Sequence, residues 1–502
     1  MCQKKRDSAR YIIIVMYICY KQIKGMETNK LFGRSSEKAI LDEHLASNES
    51  SLIAIIGRRR VGKTYLVRRT LEDKIDFEMV GSQNGTQQEQ LLNFQIALMK
   101  YLKSKIQLSI PTNWTEAFYQ LQQYLQLKKG NKKKVVFFDE FPWINTAKSG
   151  FIEKFAHFWN SWASENNVLI VLCGSAATWM LKNVVNGKGG LHNRISQTIH
   201  LHPFQLPQTK EMLQGMGIKT TNAQLAELYM VFGGVPYYLS LLKKSKSIYQ
   251  NIDALLFEAN GKLINEYQNL LPSLFDDATN HLAVLNAMAT KWKGLNRSEL
   301  TSIYKKSDGG GLTKILIDLE QSGFITSYAP YKKLKKDTLY RISDPYVLFY
   351  LKFLKKNRQT SFADITKSAN YKVWCGYAYE NLCMQHINII QNILGLSKIQ
   401  TFTSSYFYKG NKHESGFQID LLIERADNVV NICEVKYHNK AYLITKKDYE
   451  HIKYYISKFQ EVAGKKVAIH YTMITANGIV KNEYSNEILD TEITLSEIIE
   501  DK

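Results

Sequence analysis

GRRRVGKT, residues 57–64, follows directly on the run SLIAII, residues 51–56, and leads into YLVRRTL, residues 65–71. The eight residues fit G-x-x-x-x-G-K-[ST] throughout, and that pattern carries weight when a strand precedes it and a helix follows. The short apolar run bounded by glycine predicts a strand buried on both faces, as in a parallel sheet. The helix beginning after the glycines presents unpaired N–H groups and the positive end of its dipole, which together receive phosphate. On this reading the backbone of Gly57, Arg58, Arg59, Arg60, Val61, Gly62 and Tyr65 wraps a polyphosphate. Lys63 then reaches the β- and γ-phosphates, and Thr64 binds Mg²⁺.

Working outward, VVFFDE at residues 135–140 reads as a second buried strand ending in two carboxylates. Alone it could be a strand closed by an acidic turn. Beside a phosphate loop it becomes a Walker B strand: Asp139 holds Mg²⁺, usually through water, and Glu140 orients and deprotonates the attacking water. Glu140 therefore points to hydrolysis rather than to binding alone. A third strand, VLIVLC at residues 168–173, is followed by Ser175, the position of a polar sensor of the γ-phosphate. Arg194, in LHNRISQTIHL at residues 191–201, is the candidate cation near the γ-phosphate, with a surface or structural arginine as the alternative. FGGVPY at residues 232–237 predicts a glycine–proline corner entering a helix at Pro236.

These stretches resemble the archaeal-type AAA ATPases, relatives of the STAND class of signal-transduction NTPases. The resemblance rests on Phe32-Gly33-Arg34 and Glu37, the loop itself, FFDEFPWI at residues 137–144, LCGSAATWM at 172–180 and GGVPYYL at 233–239, and covers residues 30–265. It implies an α/β P-loop core, ATP rather than GTP, and a Gly-Pro corner coupling the nucleotide to what lies downstream. It carries over Lys63, Thr64, Asp139 and Glu140, and more loosely Ser175, Arg194 and Pro236.

Length and composition agree with a multidomain globular chain. The 502 residues correspond to about three domains, and a hydrophobic content of 45% is enough to build cores. Sixty-six Lys+Arg against 46 Asp+Glu give a net charge of +20. Such an excess suits a polyanionic partner such as nucleic acid, or simply a lysine-rich composition. The six cysteines include no C-x-x-C pair, as expected of reduced thiols in the cytoplasm. YIIIVMYICY at residues 11–20 is too short to span a bilayer. We therefore expect residues 1–25 to be an extension outside the fold, with translation starting at Met26 and a weak membrane anchor as the alternative.

Downstream, residues 211–275 read as a helical lid and 276–345 as a winged helix-turn-helix. The wing tip of the latter carries Lys332, Lys333, Lys335 and Lys336, which could lie on nucleic-acid phosphates. Residues 346–365 read as a linker helix. In residues 366–502, QIDLLI at 418–423 and VVNICEVK at 429–436 form a strand pair around the turn at 426–428. Residues two apart on a strand share a face, so Glu434 and Lys436 point together, and the hairpin brings Asp420 beside them. Two carboxylates and a lysine on one face can hold Mg²⁺ and activate water against a phosphodiester. With Glu380 on the preceding helix, the order Glu380, Asp420, Glu434, Lys436 resembles the PD-(D/E)XK nuclease superfamily. An amphipathic hairpin with surface charges is the alternative.

The expectation is thus an α/β chain. It comprises a P-loop parallel-sheet ATPase core (26–210), a helical lid, a winged helix and an α/β restriction-nuclease-like domain. It uses ATP and Mg²⁺ as a nucleotide-gated switch on nucleic acid. The competing expectation is a non-enzymatic, nucleotide-gated regulatory or DNA-binding/scaffold protein whose nuclease fold is inactive and serves as a docking surface; a protein partner or self-association is the further partner expectation. Stable membrane insertion is not expected.

Overall fold

The structure, a computed structural model, describes residues 30–102, 109–128, 130–187, 189–275, 277–304, 309–333, 335–355, 361–411 and 413–501. The expectations for residues 1–25 and for a start at Met26 lie outside the described residues.

Five strands, β1 (Ser51–Ile56), β2 (Ile75–Val80), β3 (Lys134–Asp139), β4 (Val168–Gly174) and β5 (Gln197–His200), form one parallel sheet in the order β2-β3-β4-β1-β5. All six residues of β1 are buried. Leu52, Ala54 and Ile56 pack into one apolar layer with Phe138 and Trp114, while Ile53 and Ile55 pack into the other with Leu66 and Val67. That two-sided burial is why the strand reads as a continuous apolar run. Because β3, β4 and β1 are neighbours and parallel, their C-terminal ends lie together. The phosphate loop, Asp139 and Ser175 therefore meet at one sheet edge, the usual ligand position of an open α/β sheet.

The helix beyond the core is Leu206–Gly215 and carries Pro207 in its first turn. It crosses the expected boundary at 210/211, because proline is preorganised for a helix start. Helices Asn222–Phe232, Pro236–Ser240, Ile248–Leu256 and Glu266–Leu270 follow. The last is shorter than the connecting helix expected over 262–275. It ends at Leu270; Leu271 still has helical backbone, and Pro272 beyond it has no N–H to donate, so the helical ladder is interrupted there. Helix Thr279–Met288, β6 (Leu295–Asn296), helices Arg297–Tyr304 and Gly310–Gln321, and strands β7 (Ile325–Tyr328) and β8 (Leu339–Ile342) come next, with the strands ordered β6-β8-β7 and antiparallel. Leu295 and Asn296 pair with β8, and the following helix begins at Arg297.

The segment expected as a linker helix is packed rather than spanning. Helix Pro345–Phe349 buries Tyr346 and Phe349 completely, and helix Phe362–Lys367 crosses the expected boundary at 365/366. Helix Ala369–Gln385 then leads to a sheet of β9 (Thr401–Tyr408), β10 (Phe417–Arg425), β11 (Val429–Lys436), β12 (Ala468–Thr475) and β13 (Thr491–Thr494), ordered β13-β12-β11-β10-β9. β9, β10 and β11 are antiparallel, and β11, β12 and β13 are parallel. One apolar cluster runs through Tyr229 and Leu285 to Phe349, Tyr379, Leu421 and Ile498. The lid, the three-helix module and one face of the C-terminal sheet therefore share a core.

A buried histidine joins the lid to the C-terminal half. The Leu206 N–H donates to His386 Nε2 at 2.8 Å, and His386 Nδ1 lies 2.7 Å from the Leu382 carbonyl. Nε2 must accept and Nδ1 must donate, so the ring is held neutral. Burial pushes its pKa down to about 4. No described helix is long and apolar enough to cross a membrane.

Candidate functional site

At the edge of the parallel sheet, Gly62 adopts φ 92° as the cap of helix Lys63–Leu71, a left-handed conformation that glycine enters without steric cost. Lys63 Nζ donates to the Gly57 carbonyl at 2.6 Å and the Arg58 carbonyl at 3.2 Å, so the ammonium lies inside the loop. Thr64 Oγ1 donates to Asp139 Oδ2 at 2.7 Å. These are two hard oxygen groups from adjacent elements, a chemistry suited to Mg²⁺. Burial, reinforced by the charge of Glu140, pushes the Asp139 carboxyl up to about 6. A divalent cation would oppose that shift by stabilising the ionised form.

Glu140 sits at φ 48°, a backbone state that costs a non-glycine residue of order 1–3 kcal/mol and persists only when its surroundings enforce it. Ser175 supplies part of that enforcement. Its N–H and Oγ both donate to Glu140 Oε2, at 3.1 and 2.7 Å. The residue expected to sense the γ-phosphate thus holds the residue expected to activate water. Tyr65 and Arg59 are both exposed. Arg194 is exposed on the turn before β5.

The side chains of Arg58 and Arg60 point elsewhere than their place in the loop suggests. Arg58 is ion-paired with Asp344, and both are almost completely buried, at 3% and 2% exposure. Asp344 also caps helix Pro345–Phe349, accepting from the Val347 N–H at 2.7 Å. Arg60, at φ 76°, donates from Nη2 to Glu266 Oε2 at 2.8 Å and stacks on Tyr237. Only their backbones remain for phosphate, while their side chains bind the lid and the segment leading to the C-terminal half. The Gly-Pro corner closes the same junction. The Tyr237 N–H, next to Pro236, approaches the Arg60 carbonyl at 3.4 Å, and a Cβ on Gly234 would meet the Phe204 carbonyl oxygen at 1.7 Å. Between core and downstream half opens a cleft of about 420 Å³, lined by Arg34, His202 and Gly234 on one side and Asp344, Gln385 and Asn388 on the other.

The second group of expected site residues gathers at the C-terminal sheet. Lys436 Nζ lies 2.5 Å from Glu434 Oε1, as expected for residues sharing a strand face. The β10–β11 ladder ends with Leu421 opposite Cys433, so Asp420 and Glu434 are the next residue on each strand. Asp420 Oδ1 accepts from Gln418 Nε2 at 2.8 Å and lies 3.6 Å from Lys293 Nζ. Burial and the charge of Asp420 push the Glu380 carboxyl well above the usual carboxylate range, opposed by Arg341 and Lys293. Burial likewise raises Asp420.

Among the described residues, no three His, Cys, Asp or Glu side chains converge to hold a metal ion. The metal set expected from Glu380, Asp420 and Glu434 therefore shares one electrostatic neighbourhood without forming a ready cage. The reason is visible in the partners, because lysine ammoniums already stand beside Glu434 and Asp420. The wing also differs from expectation. Lys332 Nζ donates to the Val462 and Ala463 carbonyls at 3.0 and 3.1 Å, at the end of helix Lys446–Ala463, and the Tyr331 N–H donates to the Ser405 carbonyl at 2.6 Å. Tyr331 is buried against Phe459. The tip is thus docked on the C-terminal sheet. Lys333 and Lys336 stay exposed, and the Lys335 side chain lies outside the described residues.

Sequence reading missed Asp344, Glu266, Lys293 and Arg341. Asp344 was legible as a helix cap from the following proline, but its partner lies 286 positions away. Nothing local marks the other three.

Comparison with known proteins bears on the first part of the chain. Residues 31–242 match a family described as an ATPase domain predominantly from Archaea. An uncharacterized protein of Methanocaldococcus jannaschii is 24% identical over 457 residues, covering 86% of this chain and 95% of its own. Among solved structures, the Walker-type ATPase PABY2304 of Pyrococcus abyssi aligns at 20% identity with a TM-score of 0.48, over 64% of this chain and 96% of its own. The Aeropyrum pernix ORC2 protein aligns at 14% with a TM-score of 0.42, over 64% and 93%. Both superpositions are too loose to bear on the downstream half. With the phosphate loop at the edge of a parallel five-stranded sheet, the family match over residues 31–242 supports an ATP-binding P-loop NTPase.

Proposed function

We propose that the protein is an ATP-hydrolysing, nucleotide-gated switch whose downstream half, a winged-helix module and a nuclease-like domain, acts on nucleic acid in the cytoplasm. The observation that carries this reading is the buried pair between Arg58 in the phosphate loop and Asp344 at the start of the C-terminal half. A loop that reshapes around phosphate cannot leave that pair untouched. That pair supports a link between nucleotide state and downstream position.

In the core, the loop backbone and Lys63 would hold the β- and γ-phosphates, and Thr64 and Asp139 would hold Mg²⁺, which would neutralise phosphate charge. Glu140 takes a proton from the attacking water once Ser175 turns from its carboxylate to the γ-phosphate. Arg194, exposed in the free chain, supplies a cation only if its turn folds inward or a second copy presents it. In the C-terminal half, Glu380, Asp420, Glu434 and Lys436 are the candidates for phosphodiester chemistry.

The test is to incubate purified protein with plasmid and single-stranded DNA, with and without ATP, Mg²⁺ and Mn²⁺, beside Lys63→Ala. Loss of a charged hydrogen-bond partner should weaken ATP binding by about 1.5–3 kcal/mol, roughly ten- to a hundredfold. Cleavage that is metal-dependent and altered in Lys63→Ala supports the switch. A second reading, a non-enzymatic regulator with protein partners, is favoured by the lack of a ready three-ligand metal group among the described residues. ATP turnover with no cleavage under any condition would select it.

A further inference from the structure

We infer that the module of residues 279–342 holds the C-terminal carboxylate site shut, with Lys293 and Arg341 standing in for a divalent cation. This rests on the nuclease-like reading of that site. Asp420 and Glu434 lie just past the end of the β10–β11 ladder, Glu380 feels the charge of both, and Lys436 of the same sheet pairs with Glu434. The remaining positive charge arrives from the preceding module. Lys293 Nζ lies 3.6 Å from Asp420 Oδ1. Arg341, on β8 and 6% exposed, donates from Nη2 to Asn381 Oδ1 at 3.2 Å, one residue from Glu380. Its charge, with that of Lys293, favours the ionised form of both Glu380 and Asp420.

The placement of Lys293 is built. Tyr328 Oη, on β7, donates to the Lys293 carbonyl at 2.6 Å, and Gly294 turns the chain at φ 100° immediately after it. A Cβ on Gly294 would come within 3.2 Å of the Tyr340 carbonyl and 3.3 Å of Tyr328 Oη, so the turn lies tight against β7 and β8. The module is itself clamped to β9 through Tyr331, to the end of helix Lys446–Ala463 through Lys332, and to the phosphate loop through Asp344, two residues past β8. A metal ion and the Lys293 ammonium cannot both occupy the inner side of Asp420. Admitting the metal requires the module to lift or the lysine to swing away. The docked arrangement is accordingly the closed one, and the missing metal cage is its consequence.

Mn²⁺ binding to the nucleotide-free full chain, followed by the paramagnetic resonance of free Mn²⁺, tests this without requiring catalysis. Lys293→Ala should bind Mn²⁺ at an Asp420-dependent site about tenfold or more tightly than wild type, since one positive charge at contact distance is removed. Lys293→Arg should stay near wild type, and Asp420→Ala in the Lys293→Ala background should abolish the gain. Matching thermal melts for these variants would exclude unfolding as the cause. Equal Mn²⁺ affinity in wild type and Lys293→Ala would overturn the closure. If the site is Asp420-dependent in both, the nuclease-like reading stands while the closure falls; if Asp420 matters in neither, both fall. Tighter Mn²⁺ binding in Lys293→Ala with no cleavage of plasmid would uphold the closure and retire the catalytic reading.

Discussion

The two carboxylate sites of this molecule are built on opposite plans. In the ATPase core, every group comes from the sheet edge or the loop beside it. Thr64 pairs with Asp139, Ser175 with Glu140, and Lys63 with its own loop carbonyls. In the C-terminal half, the acids come from one domain and two of the cations beside them from another. The groups of the first site are positioned by the sheet that carries them. The second is arranged by domain docking, so its state can change without any change in its own fold. Chemistry that must always be ready suits strand ends, and chemistry that must be withheld suits an interface.

The sharpest way to break this contrast is Glu140→Gln. If the core is self-contained, the variant should bind ATP as wild type does and turn over about 10²- to 10⁴-fold more slowly, the usual worth of a positioned base. Its Mn²⁺ binding at Asp420 without nucleotide should be unchanged. Single-turnover hydrolysis and the Mn²⁺ titration measure the two halves separately. Wild-type turnover would remove Glu140 from the chemistry.

A second measurement probes the link between the halves. Asp344→Asn keeps a cap acceptor for the Val347 N–H but leaves the buried Arg58 guanidinium without a counter-charge, which should cost about 3–5 kcal/mol. Chemical denaturation reads this directly. Adding Arg58→Met should restore most of the loss, because the unpaired charge is gone. A single variant as stable as wild type would show that the pair does not bind the halves together.

The smallest expected effect concerns His386 at the lid junction. Its pKa, about 4 in the folded chain, lies below the ordinary value near 6.5. The unfolded chain therefore takes up the proton first as the solution is acidified. The stabilisation is complete above about pH 6.5 and is lost as pH falls toward 4, by up to about 3 kcal/mol. Between pH 7 and 4.5 the melting temperature of wild type should fall more steeply than that of His386→Gln, which has nothing to titrate there. Parallel pH profiles would place the acid sensitivity elsewhere.

How much was legible beforehand follows the range of the interactions. GRRRVGKT, the apolar runs at residues 51–56, 135–138 and 168–173, and the residues ending them were readable because their signals are local: periodicity, a glycine that must take positive φ, a lysine and a threonine at fixed spacing. The hairpin bringing Asp420 beside Glu434 was readable for the same reason, since a strand pair around a tight turn fixes its own register.

The domain boundaries were less legible. A helix with Pro207 in its first turn runs across 210/211, and one apolar cluster runs through residues on both sides of 275/276, 345/346 and 365/366. By itself the sequence determined a strand, glycine loop and helix at residues 51–71, a buried strand ending in Asp139, and a hairpin carrying Asp420 and Glu434, because each is specified within a few residues. Only the tertiary structure decided that Arg58 serves Asp344, that the wing lysine Lys332 caps a helix, and that Lys293 stands beside Asp420. Those partners lie more than 100 positions apart, and no local pattern records which distant charge will meet which once the shared core brings them together.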